Sequence, residues 1–190
     1  MKNIEFMKEY LEENLVKGRY LHTLGVVETA KDLAKRYGVD IKKAEIAALA
    51  HDIAKNLSSE QLLKIIEANN ITLGVDEKNT RELWHSIVGP IVARERFGIV
   101  DEEILSAIRW HTTGKENMSK LDKIIYLADM IEPSRDFSMV EELRNDSKDD
   151  LDKAMLNALT YTIKYLLEKG CLIDVNTVKA RNYLLYNNYK

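Results

Sequence analysis

The sequence predicts an all-α protein, and three observations support that prediction. Apolar residues recur every three or four positions along most of the chain, which is the spacing of one helix face. Capping residues precede many of these stretches, and glycine or proline follows several of them. No stretch alternates apolar and polar residues as a strand would, and there is no internal repeat. We therefore predict one helical-bundle domain over residues 1–190, with a core over about 18–135 and C-terminal helices over about 138–188.

The N-terminal part of the chain predicts three helices. Asn3 can cap the first, which is expected over 3–16. The second is expected over 19–37, and the glycine that follows it is a typical stop. Asp40 can cap the third, which continues to the His-Asp pair at 51–52 and is apolar nearly all round. A helix without a polar face belongs at the centre of a bundle.

The middle of the chain predicts four more helices. Capping-box signals open helices over 58–68 and 119–131. One long helix is expected over 78–97, with Pro90 either kinking it or lying in its first turn. A shorter helix over 101–111 ends in a Trp-His pair, because the Thr-Thr-Gly that follows breaks the pattern.

The C-terminal part predicts helices over 138–145, over 149–169, and from residue 176 or 177 to 185. The last segment is rich in tyrosine, and two interpretations stay open for it: a homodimer contact or a flexible tail. These tyrosines are Tyr183, Tyr186 and Tyr189.

Composition and charge narrow the possible partners. The formal net charge of −3 gives no bulk electrostatic reason to expect nucleic acid or an anionic membrane as a partner. No signal peptide and no apolar stretch long enough to span a membrane is visible. The single cysteine, Cys171, cannot form an internal disulfide, and its ordinary role is a small packing residue rather than a nucleophile. These features predict a cytoplasmic protein.

Six residues stand out because their side chains bind metals and their neighbours are apolar. Each of the four histidines falls on or at the end of a different predicted helix, and two aspartates interrupt apolar helical stretches. A carboxylate in such a place must be hydrogen-bonded, paired or bound to a cation. The six residues are His22, His51, Asp52, His85, His111 and Asp129.

These six residues predict a metal site. Imidazole and carboxylate ligands suit iron, manganese, zinc or cobalt, although for any one histidine a satisfied core position is the ordinary alternative. Because adjacent residues on a helix point about 100° apart, His51 and Asp52 can serve one metal at a helix end, or Asp52 can bridge two. The sequence leaves both arrangements open.

The order of these residues resembles the HD-domain superfamily of metal-dependent phosphohydrolases. Within it, the phrases around them resemble the YqeK family, bacterial hydrolases that split diadenosine tetraphosphate symmetrically into two molecules of ADP. The phrases are His51-Asp-Ile-Ala-Lys55, Trp84-His85-Ser86, Trp110-His111-Thr112-Thr113-Gly114, Tyr126-Leu-Ala-Asp129-Met-Ile-Glu-Pro133 and Ala180-Arg181-Asn182.

The resemblance implies a role for each of the six residues. It assigns His22, His51, Asp52 and Asp129 to the metal, which in this family is implied to be iron. The two remaining histidines either bind a second metal or contact the substrate phosphate; they are His85 and His111. As catalytic residues it implies Asp52, His85 and His111, with a metal-activated water as the nucleophile.

Three cations near these motifs are expected to meet the polyphosphate of a nucleotide substrate: Arg19, Lys55 and Arg135. For each of them a solvated surface cation is the alternative. The sequence departs from the family's usual phrase at Asp174, where a histidine is expected, which leaves the role of the tail open.

Two other functions remain open. The first is a different HD-domain reaction, such as removal of phosphate from another nucleotide or phosphodiester hydrolysis. The second is a non-catalytic helical signalling module, which the presence of all six residues disfavours.

Overall fold

The computed structural model describes residues 1–188, and that part of the chain contains helices and no strand. The all-α prediction is therefore confirmed. Within the described residues, no helix is both long and apolar enough to cross a membrane. The helices are α1 (Ile4–Asn14), α2 (Lys17–Tyr37), α3 (Ile41–Ala50), α4 (Ser59–Ala68), α5 (Val75–Asn79), α6 (Trp84–Phe97), α7 (Glu102–Trp110), α8 (Lys120–Ile131), α9 (Val140–Asp149), α10 (Leu151–Glu168) and α11 (Val175–Asn188), with a 3₁₀ turn at Arg81–Leu83.

Helices α3 and α8 form the centre of the bundle. Helix α8 packs against α2, α3, α7, α9 and α10, and α3 packs against α1, α2, α7 and α8. All but four residues of α3 are buried, as its apolar sequence predicts. On α8, the side chains that are fully excluded from solvent are Leu121, Ile124, Ile125, Leu127 and Ala128. These two helices carry His51 and Asp129 on or next to their C-terminal turns, so the core itself delivers polar side chains to one point.

The capping residues predicted for the first two thirds of the chain accept backbone N–H groups as expected. They are Asn3, Asp40, Ser58, Asp101 and Ser119. Gly38 and Gly98 end α2 and α6 with φ of 67°, a left-handed conformation that other residues rarely adopt. Local sequence therefore fixes most helix boundaries.

The prediction of one long helix over 78–97 is wrong. The chain leaves the helical conformation at Thr80, where φ is −124° and ψ is 81°. The indole N–H of Trp84 donates to the backbone oxygen of Glu77 at 2.8 Å, so a tertiary hydrogen bond folds α5 back beside the start of α6. His85 consequently lies in the first turn of α6 instead of mid-helix, and Pro90 lies inside that helix.

The C-terminal boundaries also differ from those predicted. Helix α9 extends to Asp149, and α10 begins only after its cap, Asp150. Helix α11 begins at Val175 because Asp174 accepts the N–H of Asn176 at 2.7 Å, and it continues past residue 185. Cys171 is exposed rather than packed. Helix α11 packs on α10, while Tyr189 lies outside the described residues.

Candidate metal centre

All six predicted residues converge at one point between five helices. His22 comes from α2, and Asp129 from the last turn of α8. His51 and Asp52 follow α3, while His85 and His111 lie at the start of α6 and the end of α7. All four histidines and Asp52 are buried, and the Asp129 side chain is 18% exposed.

One half of the centre is formed by His22, His51 and Asp129. The Oδ1 atom of Asp129 lies 2.9 Å from Nε2 of His22 and 4.0 Å from Nε2 of His51. The three possible ligand atoms lie within 4.8 Å of one another, which is close enough for one ion to contact all of them. These residues could therefore hold a metal ion.

The other half of the centre is formed around Asp52. Its Oδ1 lies 3.1 Å from Nε2 of His85 and 3.6 Å from Nε2 of His111, while Oδ2 lies 3.4 Å from Nε2 of His51. A second group of three ligand atoms within 4.8 Å comprises His51, Asp52 and His111. Because His51 belongs to both groups and Asp52 lies next to it, the geometry accommodates two ions as well as one.

Every histidine of the centre is oriented through its Nδ1 atom. The Nδ1 partners are the backbone oxygens of Ala48, Glu82 and Ile108 for His51, His85 and His111, and the carboxylate of Glu132 for His22. Since these partners only accept, each Nδ1 carries a proton, and in the neutral imidazole each Nε2 presents a lone pair to the centre. Second-partner hydrogen bonds of this kind are typical of metal-binding histidines.

Three of the ligand atoms at the centre lack protein partners. Nε2 of His22, Nε2 of His51 and Oδ1 of Asp52 are buried and make no hydrogen bond among the described residues. The Nε2 atoms of His85 and His111, both acceptors, lie only 3.1 Å apart. Buried acceptors that face one another are stable only with a cation or a proton between them. The residues present therefore fit a metal ion.

Electrostatics reinforce this arrangement. Burial raises the pKa of Asp52, but the imidazoles around it outweigh burial and hold the pKa well below its usual value. Burial opposes ionisation of Asp129 too, and the adjacent imidazole of His22 nevertheless lowers its pKa. Burial lowers the pKa of His85 to about 4. At neutral pH the centre thus contains two carboxylates and a neutral His85.

Glu132 is a functional residue that sequence reasoning missed, since there it only marks the end of α8 before a proline. It is 2% exposed, and its Oε1 lies 2.9 Å from Nδ1 of His22. Its Oε2 accepts the N–H of Ser134 at 2.8 Å. A Cβ placed on Gly25 would lie 2.6 Å from that same Oε2, so glycine leaves room for the carboxylate in its position against His22. The position of Glu132 three residues after Asp129 was the available signal.

The three predicted cations all lie at the centre. Arg19 contacts Oδ2 of Asp52 at 2.8 Å, and Arg135 contacts Oδ1 of Asp129 at 2.6 Å. The Nζ atom of Lys55 lies 3.2 Å from Nε2 of His85. Their side chains are between 28% and 37% exposed, so they are accessible from solvent at the edge of the buried ligands.

Comparisons with known proteins were consistent with one another. The family model described as HD domain matches residues 19–134, which include all six residues. A Bacillus subtilis protein, bis(5'-nucleosyl)-tetraphosphatase, symmetrical, is 40% identical and is matched over 92% of this chain and 94% of its own. A protein of the same description from Halalkalibacterium halodurans is 44% identical over 97% of this chain and 96% of its own.

Among solved structures, a crystal structure from Clostridium acetobutylicum has a TM-score of 0.95 and 44% identity, covering 98% of this chain and 99% of its own. That protein is described as a predicted HD superfamily hydrolase involved in NAD metabolism.

Proposed function

The chain belongs to the HD-domain family, and from that premise we propose that it is a symmetrical bis(5'-nucleosyl)-tetraphosphatase, which hydrolyses diadenosine tetraphosphate to two molecules of ADP. One observation carries the proposal: four imidazoles and two carboxylates converge at one point, where Nε2 of His22, Nε2 of His51 and Oδ1 of Asp52 are buried without a hydrogen-bond partner among the described residues. Three cations lie at the edge of this point. Relatives of that description, similar over almost their whole length, support the choice of substrate.

We propose that His22, His51, Asp52 and Asp129 bind one iron ion. The short separations of His22, His51 and Asp129, the proximity of Asp52 to His51, and the orientation of each histidine through Nδ1 support this set. His85 and His111 then bind a second ion or lie against the phosphate. Iron follows from the family resemblance, whereas manganese, cobalt and zinc suit the same donors.

Bound in this site, such an ion supplies a Lewis acid that polarises phosphate oxygens and acidifies a coordinated water. Asp52 is ionised at neutral pH, so it is a poor proton acceptor but a good hydrogen-bond acceptor that can orient the attacking water. His85 has its Nδ1 proton committed to the oxygen of Glu82, so its Nε2 can only accept. A neutral His85 therefore suits ligation better than donation to a phosphate.

The three cations neutralise the polyphosphate in this mechanism. Arg19 and Arg135 offer guanidinium N–H groups that match phosphate oxygens in pairs, and Lys55 supplies a point charge next to His85. Because the site also holds two carboxylates, these cations are needed to make it attractive to a polyanion. They would also stabilise negative charge on the leaving ADP.

The location and the assembly belong to the same proposal. A cytoplasmic location is supported by the single unpaired thiol of Cys171 and by a nucleotide substrate. For a homodimer the support is the exposure of Tyr186 on α11, which is 61%.

The proposed function is tested by product analysis. Protein purified without added metal is assayed for bound metals by elemental analysis and then incubated with diadenosine tetraphosphate. ADP as the only nucleotide product is expected. ATP plus AMP overturns symmetrical cleavage, and no product overturns the proposed activity and favours hydrolysis of another nucleotide. A preparation that binds no metal at near-stoichiometric levels would support the non-catalytic signalling module.

A further inference from the structure

We propose that the cavity between α6, α10 and the start of α11 binds one nucleoside of the substrate, so that the enzyme holds one half of the dinucleotide by its base and sugar. This inference rests on the proposed function and adds the part of the site that recognises the nucleoside. The cavity has a volume of about 480 Å³, and its lining includes Lys55 and His85. It therefore opens directly onto the metal centre.

The lining of this nucleoside cavity suits a flat base attached to a sugar. Leucines supply apolar walls, and threonine hydroxyls and the carboxylates of Glu82 and Asp174 supply hydrogen-bonding groups between them. Pockets for small molecules typically have volumes of about 300–1,000 Å³ and combine mostly apolar walls with a few polar groups. The residues used in this argument are Leu83, Leu166, Leu172, Thr112, Thr162 and Asp174.

Charge gives the bound nucleotide a direction. Lys55 lies near Arg19, Arg135 and the two aspartates of the metal centre, a group in which cations outnumber anions. Asp174, which is 6% exposed, lies near Asp76, Glu77 and Arg109, a group in which anions outnumber cations. Phosphates are attracted by the first group and repelled by the second. The uncharged nucleoside therefore points to Asp174, whose carboxylate can accept a hydrogen bond from an amino or hydroxyl group.

A second cavity on the centre has different chemistry. It has a volume of about 460 Å³ and is lined by Arg19, His22, Arg135 and other mostly polar residues, with Val16 and Phe137 as its larger apolar groups. Such a surface suits phosphates better than a buried base. This contrast assigns the nucleoside to the cavity beside α10 and leaves the second one for the other half of the substrate.

The test uses a matched pair of substitutions on neighbouring residues of α10. Leu166→Trp fills the nucleoside cavity, whereas Leu167→Trp adds the same side chain at a position that is 65% exposed and outside the cavity lining. Metal-loaded full-length proteins are titrated with ADP and, separately, with inorganic pyrophosphate, by calorimetry. We expect L166W to weaken ADP binding about tenfold or more, with pyrophosphate binding unchanged. L167W should bind both as the wild type does.

Two further variants keep the test decisive if L166W does not fold. Leu172→Trp adds bulk at the cavity edge, where Leu172 is 51% exposed, and should weaken ADP binding in the same selective way. Asp174→Asn retains a good helix cap for α11 but removes the charge, and we expect a loss of about three- to tenfold in ADP affinity. Unchanged affinity in D174N would overturn the role of that carboxylate.

The outcomes separate this inference from the proposed function. Wild-type-like ADP binding by both L166W and L172W, or equal loss of ADP and pyrophosphate binding, overturns the nucleoside cavity even when diadenosine tetraphosphate yields ADP. Failure of the wild type to produce ADP from that substrate, with selective loss of ADP binding in L166W, overturns the proposed reaction and leaves the cavity assignment supported.

Discussion

The histidines of the metal centre are held in two different ways, on its two sides. On one side, His51, His85 and His111 lie at helix ends, and each binds the backbone oxygen of the residue three positions earlier. On the other side, His22 lies within α2, and its Nδ1 binds the Glu132 side chain. Backbone oxygens are available in the last turn of a helix, as for His51 and His111, and in the 3₁₀ turn before α6, as for His85, whereas inside a helix they are already bonded to N–H groups. A histidine within a helix therefore needs a second side chain to orient it.

The two ways of holding a ligand have different consequences. A backbone oxygen cannot be removed by substitution, and it is neutral. The Glu132 carboxylate carries charge: burial raises its pKa, but hydrogen bonds from Ser134 and His22 outweigh burial and lower the pKa below its usual value. An ionised carboxylate makes the imidazole it binds a stronger electron donor. His22 should therefore be the more basic ligand and also the one that is easier to disturb.

The largest expected effect comes from removing a ligand on the backbone-held side. His51→Ala deletes the imidazole that both groups of ligand atoms share, and His51 is fully buried. We expect the hydrolysis rate to fall by about 10³-fold or more and bound metal to drop below one ion per chain. The rate is measured as ADP release, and the metal by elemental analysis. Full metal content with normal activity in H51A would contradict the assignment of His51.

An intermediate effect is expected from removing the carboxylate charge that orients His22. Glu132→Gln keeps the shape of the side chain but removes the charge that faces His22. Loss of such a second partner typically weakens metal binding by about 10- to 100-fold, and we expect a loss in this range. Competition with a chelator measures the affinity without depending on turnover.

The matched control for this substitution is Glu28→Gln. Glu28 is a residue of α2 itself. Its side chain is 71% exposed and forms an ion pair with Lys31. The E28Q variant should retain the wild-type affinity for the metal. Equal metal affinity in E132Q, E28Q and the wild type would mean that Glu132 only closes the end of α8, and the difference between the two sides of the centre would then have no consequence for the metal.

The difference between local signals and contacts across the fold explains what the sequence could predict. Caps and helix ends are local signals, so they located the histidines at the ends of α3 and α7, and an apolar context located Asp52 and Asp129. The break at Thr80 depends on a hydrogen bond between Trp84 and Glu77, a contact that helical periodicity does not encode. The apolar periodicity on both sides of Thr80 therefore looked like one continuous helix.

Glu132 was missed for a related reason. Its partner, His22, is 110 positions away along the chain, and only the packing of α2 against α8 brings the two together. The nucleoside cavity is likewise built from segments distant in sequence, with residues of α10 and the α11 cap facing His85. Local patterns thus identified the ligands, while tertiary packing determined what orients them and what lies beside them.

The smallest effect is expected from a single methyl group on α2. Gly25→Ala would place a Cβ 2.6 Å from Oε2 of Glu132, so the carboxylate must move away from its position against His22. Gly18→Ala is the matched control on the same helix, since a Cβ there meets nothing within 4 Å. In G18A we expect unchanged metal affinity and a gain in stability of about 0.4–1 kcal/mol, because alanine restricts the unfolded chain.

In G25A the same gain in the unfolded state is opposed by the displaced carboxylate, and we expect metal affinity to fall by about three- to tenfold. The decisive measurement is the double variant G25A/E132A, because glutamine would keep the size of the side chain and alanine does not. If Gly25 acts only by making room for the Glu132 carboxylate, its effect should largely disappear once that side chain is gone, giving a coupling of about 0.5–1.5 kcal/mol in a double-mutant cycle. Strictly additive losses would show that Gly25 affects the metal through the backbone of α2, independently of Glu132.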